Sequence, residues 1–282
     1  MPYWLLAWRT FHRIRRHDCI GLASQAAFGA ILSIVPAFIS LVALTSTIGV
    51  SDTTLRIVVS RLAGLLPSGS QPIVDLTVRA ALANPAPGLL TTSLVVTLWS
   101  ASGMLATYTK GLNRAYDARP RYGWWRDRAV ALLLVFVVAV PIGGASVAAL
   151  FARPLGRMLR ESLALGGSEA FLIGTGRWLA TFVVVILVVS LVYMIAPSYP
   201  AQPLDVLPGA VVATALWALA SIGFNLFTAS RLAHYRTYGG LTAAVIFLFW
   251  VQLSSAAFLI GAELNAELET MRKDAREPGE PA

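Results

Sequence analysis

The sequence predicts an all-α, polytopic membrane protein with about six transmembrane helices plus interfacial amphipathic helices, and three observations carry that expectation. The 282 residues are 57% hydrophobic and 13% charged, with a mean hydropathy of +0.69, against roughly 45–50% apolar and 25% charged in soluble domains. Six runs, at about 22–50, 88–108, 129–152, 178–196, 207–229 and 240–262, contain no Asp, Glu, Lys or Arg. Each is close to or above the ~20 residues that cross a ~30 Å hydrocarbon core. Lys and Arg gather in the flanks between these runs. In hydrocarbon the backbone polar groups must be paired within the segment, so the runs are read as helices; barrel strands would alternate polar and apolar residues over about ten positions.

Taken in order, residues 3–17 form an amphipathic interfacial helix, with Trp4, Trp8 and Phe11 on one face and Arg9, Arg13 and Arg16 opposite. The first span carries Pro36 near its middle, and the third carries Pro141-Ile142-Gly143-Gly144; both are expected to interrupt their helices. Between the first two spans, Leu55, Val58, Val59, Leu62 and Leu66 surround Arg56 and Arg61, a second amphipathic stretch expected on or in the membrane surface. After the third span, Arg153, Arg157 and Arg160 recur at helical spacing, aligning three cations. With Arg9, Arg13 and Arg16 they are candidate contacts for lipid headgroups. Residues 1–268 thus read as one membrane domain, and 269–282 as a polar tail expected to be disordered.

Orientation follows from the basic flanks. Arg9, Arg13, Arg15 and Arg16 precede the first span, and Lys110, Arg114, Arg119, Arg121, Arg126 and Arg128 fill the second connection. Placing both in the cytoplasm puts thirteen basic residues inside and nine outside, with both termini cytoplasmic. The expected location is a bacterial inner membrane.

The net charge of +8 and pI near 10.1 belong to those flanks, so no nucleic-acid partner is expected. Membrane lipids are the expected partners, with a homo-oligomer or envelope-assembly proteins as further candidates. Cys19 is the only cysteine, which excludes an intrachain disulfide. The long basic stretch at the N-terminus and the Pro-containing run after it do not resemble a cleavable signal. The histidines are His12, His17 and His234, too few and too scattered for a zinc site. Neither a GxxxxGK[ST] nor a GxSxG motif occurs. No metal, no cofactor and no enzyme activity are therefore expected.

No carboxylate lies mid-span, where ion-coupled carriers place one. Glu263 and Glu267 instead stand one turn apart at the end of the last span. Gln25, Ser33, Trp99, Asn225 and Gln252 lie within spans, and Asn113 and Arg114 end the second. With Pro36, Glu263 and Glu267 they form the candidate substrate-binding set. Polar groups facing lipid are costly, so Gln25, Ser33, Asn113, Asn225, Gln252 and Glu263 are expected to converge on one cavity.

The ordered motifs also carry a resemblance. Ala26-Ala27-Phe28 through Leu32-Ser33-Ile34-Val35-Pro36, Trp99-Ser100-Ala101 with Leu112-Asn113-Arg114-Ala115-Tyr116, Leu207-Pro208-Gly209-Ala210 with Trp217, and Tyr238-Gly239-Gly240 with Trp250 and Gly261-Ala262-Glu263-Leu264-Asn265 resemble, in that order, the motifs of the YihY/BrkB family of bacterial inner-membrane proteins. Gly29 stands where that family usually has Tyr, and 202–206 lacks its usual basic residues. The resemblance implies six transmembrane helices. Its associations are virulence and serum resistance, envelope lipid handling and cation/proton exchange. Members have been labelled ribonuclease BN, a name these residues do not support. Uncharged spans with helix-breaking residues, a polar interior free of carboxylates and basic interfacial helices on both faces give the expectation of a transporter or flippase-like protein for an amphiphilic, lipid-type or anionic substrate. The alternatives are a cation/proton exchanger using Glu263 and Glu267, and a non-transporting envelope scaffold.

Overall fold

A computed structural model describes residues 3–49, 53, 57, 59–60, 77–80, 88–118, 123–163, 169–231 and 239–276, and among these there is no strand. The long helices are α1 (Tyr3–Arg16), α2 (Cys19–Ile48), α3 (Leu89–Ala115), α4 (Trp124–Leu163), α5 (Glu169–Ile195), α6 (Pro203–Arg231) and α7 (Gly239–Arg276). Among the described residues five segments are long and apolar enough to cross a membrane: Cys19–Leu44, Leu89–Ala115, Trp125–Ala145, Pro203–Phe227 and Ala244–Asp274. A sixth apolar stretch, Leu179–Ile195 in α5, is shorter. The chain is thus an all-α polytopic membrane protein.

The helices outrun the apolar stretches. α7 has 38 residues, about 57 Å at 1.5 Å per residue, so its polar end projects well beyond a ~30 Å core. It takes up 269–276, correcting the expectation that the whole tail is disordered; 277–282 lie outside the described residues. The expected helix breaks are also corrected: α2 runs continuously through Pro36 and α4 through Pro141. A proline inside a transmembrane helix is tolerated where neighbouring groups serve the backbone it frees. In α2 the carbonyl that loses its helical donor is that of Leu32, four residues before Pro36; the Ser40 hydroxyl bonds a different one, the Pro36 carbonyl, at 2.9 Å.

α2 to α7 pack as a ring in chain order, with α7 returning to α2 and also touching α3. The α2–α3 seam is the most extensive and the α4–α5 seam the loosest. Small residues set the tight seams, since Ala23, Ala26 and Ala27 are fully buried. Where α6 crosses α7, a Cβ on Gly209 would sit 2.1 Å from the Gly261 carbonyl oxygen, so two glycines are required for this backbone approach. Of the connection at 51–87, Val59 and Val78 pack on Phe38 and Val42 of α2; the remainder of its expected amphipathic pattern lies largely outside the described residues.

α1 folds across the end of the ring onto α7 and α2. The reversal between α1 and α2 is made at Asp18, whose φ is 53°, a left-handed conformation that Asp tolerates better than most residues. Its carboxylate accepts the Gly21 N–H at 3.2 Å, capping the start of α2.

Candidate functional site

The four-residue repeat of Arg9, Arg13 and His17 places all three on one face of α1 and the turn after it, and the same spacing puts Glu263 and Glu267 on one face of α7. The structure lays these faces together in antiparallel order. Arg9 Nη1 meets Glu267 Oε1 at 3.4 Å, and Arg13 reaches Glu267 Oε2 through Nη1 and Glu263 Oε2 through Nε, both at 3.3 Å. His17 Nδ1 lies 2.7 Å from Glu263 Oε1, and the Cys19 thiol donates to the same oxygen at 3.5 Å. Arg13 Nη2 also donates to the Ala115 carbonyl at 2.6 Å and to Asp117 at 3.5 Å. Glu263 is 1% and Glu267 3% exposed. Two carboxylates this buried are compatible with folding only when cations and donors meet their oxygens.

Around this cluster, side chains tie helix ends to backbone. Asn265, buried on the α6 side of α7, accepts the Gly209 N–H at 2.6 Å and donates to the Val206 carbonyl at 2.9 Å. Asn113 accepts the Ser198 N–H at 2.7 Å, and Arg114 donates to the His17 carbonyl at 3.2 Å. Tyr193 donates to the Phe258 carbonyl, and Tyr108 pairs with Ser255 at 2.8 Å. Tyr116 and Tyr199 stack with centroids 5.1 Å apart, and Tyr199 donates to Glu269 at 2.7 Å. Burial first, and then the nearby Glu269, raise the Tyr116 phenol above its ordinary pKa, so it stays a neutral donor. Between Arg13, Tyr116, Asp117, Tyr199, Glu269 and Lys273 lies a polar cleft of about 50 Å³, enough for one or a few waters. No group of three or more His, Cys, Asp or Glu able to hold a metal occurs among the described residues.

The expectation of a single cavity is corrected. Glu263, Glu267, Asn113 and Arg114 come together at the α1 end, but Gln25 and Asn225 face outward. Ser33 is buried and bonds back to the Ala30 carbonyl at 2.8 Å, and Gln252 donates to Ser24 at 2.9 Å. Pro36 is half-buried within α2. Trp99 is 62% exposed, with the Arg128 guanidinium 4.2 Å from its ring centroid and bonded to its carbonyl at 2.7 Å. Arg9 and Arg13, expected at headgroups, turn inward onto carboxylates, because the aromatic face with Trp4, Trp8 and Phe11 is the one left exposed. Arg16 is exposed. Arg153, Arg157 and Arg160 lie on α4 backbone, and their side chains are outside the described residues. Sequence reasoning missed His17, Cys19, Asn265 and Tyr193 as partners. For His17 the matched spacing of 9, 13, 17 and 263, 267 was the available signal.

Membrane-spanning helices in a ring, closed at one end by a buried ion-paired cluster, define the class: an integral α-helical membrane protein. The match to the family described as Virulence factor BrkB extends over residues 10–282, and the chain belongs to that family. It is 28% identical over 265 residues to the putative ribonuclease-like protein YfkH of Bacillus subtilis, covering 93% of this chain and 94% of that protein. It is also 28% identical to a UPF0761 membrane protein of Aromatoleum aromaticum, over 92% of this chain but 62% of that one. A UPF0761 membrane protein of Halorhodospira halophila is 40% identical over 94 residues, 33% of this chain and 21% of that protein. No solved structure matches.

Proposed function

We infer that the chain is a non-enzymatic inner-membrane protein that moves an anionic, lipid-type amphiphile along the seam between α4 and α5, with both termini in the cytoplasm. The observation that carries this reading is an open apolar groove of about 380 Å³ at that seam, lined by Pro141, Gly144, Ala145, Val184, Leu187 and Val188 among others. A Cβ on Gly143 or Gly144 would meet nothing within 4 Å, so the proline and glycines thin the α4 wall just where the groove opens. α4 also carries cations on either side of the groove, Arg126 and Arg128 before it and Arg153, Arg157 and Arg160 after it. Arg128 and Arg153 are 25 positions apart on one helix, about 38 Å at the helical rise, close to the span between opposite headgroup layers. An acyl chain fits the apolar groove, and the cations that the α4 sequence carries on either side of it suit an anionic headgroup.

Proton or cation exchange through Glu263 and Glu267 is less well supported, because both carboxylates are already paired with Arg9 or Arg13, and Glu263 is also in hydrogen-bond contact with His17. The test is scrambling of fluorescent phospholipid in liposomes holding the purified chain. Gly144→Trp places a large ring at a groove-lining position where a Cβ meets nothing within 4 Å, and should slow scrambling at least about tenfold at unchanged protein level. Scrambling that is absent in the wild-type protein, or unaffected by Gly144→Trp, would defeat the reading; a pH-gradient decay measured in the same vesicles would instead favour exchange.

A further inference from the structure

The Gln25 side chain is left unanswered in the apolar zone: it is exposed on α2 and has no hydrogen-bond partner among the described residues. It heads a stripe at helical spacing, Gln25, Phe28, Leu32 and Val35, and all four are exposed, Phe28 at 62%. Beside it Ser24 is exposed and takes the Gln252 amide at 2.9 Å. On α7 Val245, Phe249 and Gln252 share a face, and Val245 and Phe249 are exposed. Gln25 stands six positions inside the span that begins at Cys19, and Gln252 eleven positions before Glu263. At 1.5 Å per residue these are about 9 Å and 16 Å inward from the ionic cluster. Both amides therefore lie within the hydrocarbon layer if the cluster marks its boundary, and a carboxamide facing lipid has lost water without gaining a partner.

We propose that the α2–α7 face around Gln25 is a homodimer interface, in which the Gln25 amides of two copies of this chain hydrogen-bond to each other across a two-fold axis. A carboxamide carries both donors and acceptors, so it can pair with its own copy, which is what an isologous contact requires of any residue on its axis. An arginine or glutamate there would meet its own charge. The flanking Phe28, Leu32, Val245 and Phe249 supply apolar surface that would pack side by side, and the neighbouring Ser24–Gln252 pair offers further polar atoms at the rim. Acyl chains cover an apolar surface as well as a second copy does, but within the hydrocarbon layer they offer Gln25 no hydrogen bond. The inference rests on this face alone and is independent of any transport activity.

The experiment uses the full chain in native membranes. Gln25→Cys should form an intermolecular disulfide under mild oxidation and run as a dimer on a non-reducing gel. Leu219→Cys, on an equally exposed face of α6, should remain monomeric, as should the wild type with its buried Cys19. Subunit counting by photobleaching in liposomes should give a dimer for the wild type and for Gln25→Asn. For Gln25→Leu the association constant should fall on the order of tenfold, with the monomer still folded by thermal melting. Cross-linking at position 25 no faster than at 219 would overturn the proposal. So would a monomeric wild type, or a Gln25→Leu variant that dimerises as well as the wild type. A monomer in which Gln25→Leu alters only lipid movement would overturn it too, by making Gln25 a lipid contact.

Discussion

Arg13 serves four acceptors with one guanidinium: Glu263, Glu267, Asp117 and the Ala115 carbonyl. Its planar fork makes that possible, and an ammonium cannot reproduce it. Arg13→Ala should therefore cost about 3–5 kcal/mol, because it leaves two buried carboxylates short of charge, while Arg13→Lys should recover part of the loss; thermal unfolding in one detergent compares them. Glu263→Gln keeps a side chain able to bond His17 and Cys19 but removes the charge that faces Arg13. It should fold with reduced stability and keep the proposed lipid movement if the cluster is an anchor. Loss of transport at unchanged abundance would assign Glu263 to ion coupling instead. At this scale the sequence showed the paired carboxylates but not their partners. Asn113 and Arg114, grouped with Glu263 in one candidate set, bond the Ser198 N–H and the His17 carbonyl instead. Which cation reaches a carboxylate depends on how two helices from opposite ends of the chain are laid together.

Among the helices, the α6–α7 crossing is the most demanding contact. A Cβ on Gly261 would approach the Gly209 carbonyl oxygen to 2.4 Å and the Tyr193 hydroxyl to 2.7 Å. Gly261→Ala must push two backbones apart, at a cost of about 1–3 kcal/mol, and should loosen the Asn265 bonds to α6 as well. Gly143→Ala, where a Cβ meets nothing within 4 Å, is the matched control and should leave the melting temperature nearly unchanged. The amphipathic pattern of α1 was legible from Trp4, Trp8 and Phe11 against Arg9 and Arg13. Which of its faces would be buried was not, since an interfacial helix and a helix docked by salt bridges share one periodicity.

For the whole molecule, the positive-inside argument makes a prediction that labelling decides. Gly123→Cys, in the basic second connection and with open space around its Cβ, should react with an impermeant maleimide only after the cells are opened. Thr53→Cys, exposed in the first connection, should react in intact cells. The native Cys19 is buried and should stay silent in both. Reaction of the Gly123→Cys variant in intact cells would invert the topology, and with it the cytoplasmic assignment of the ionic cluster.

Composition and the charge-free runs by themselves determined that this chain is helical and lives in a membrane, because burying backbone polar groups in hydrocarbon leaves few other solutions. They also located the runs, since apolar length is a local property. Tertiary structure alone decided that α2 to α7 close into a ring with a loose seam at α4–α5, that Gly209 faces Gly261, and that Gln25 points out while Glu263 points in. In water, the hydrophobic effect would have told inside from outside along each helix. In lipid both faces of a helix are apolar, so that signal vanishes, and the packing of small residues and the pairing of a few charges settle which face meets which.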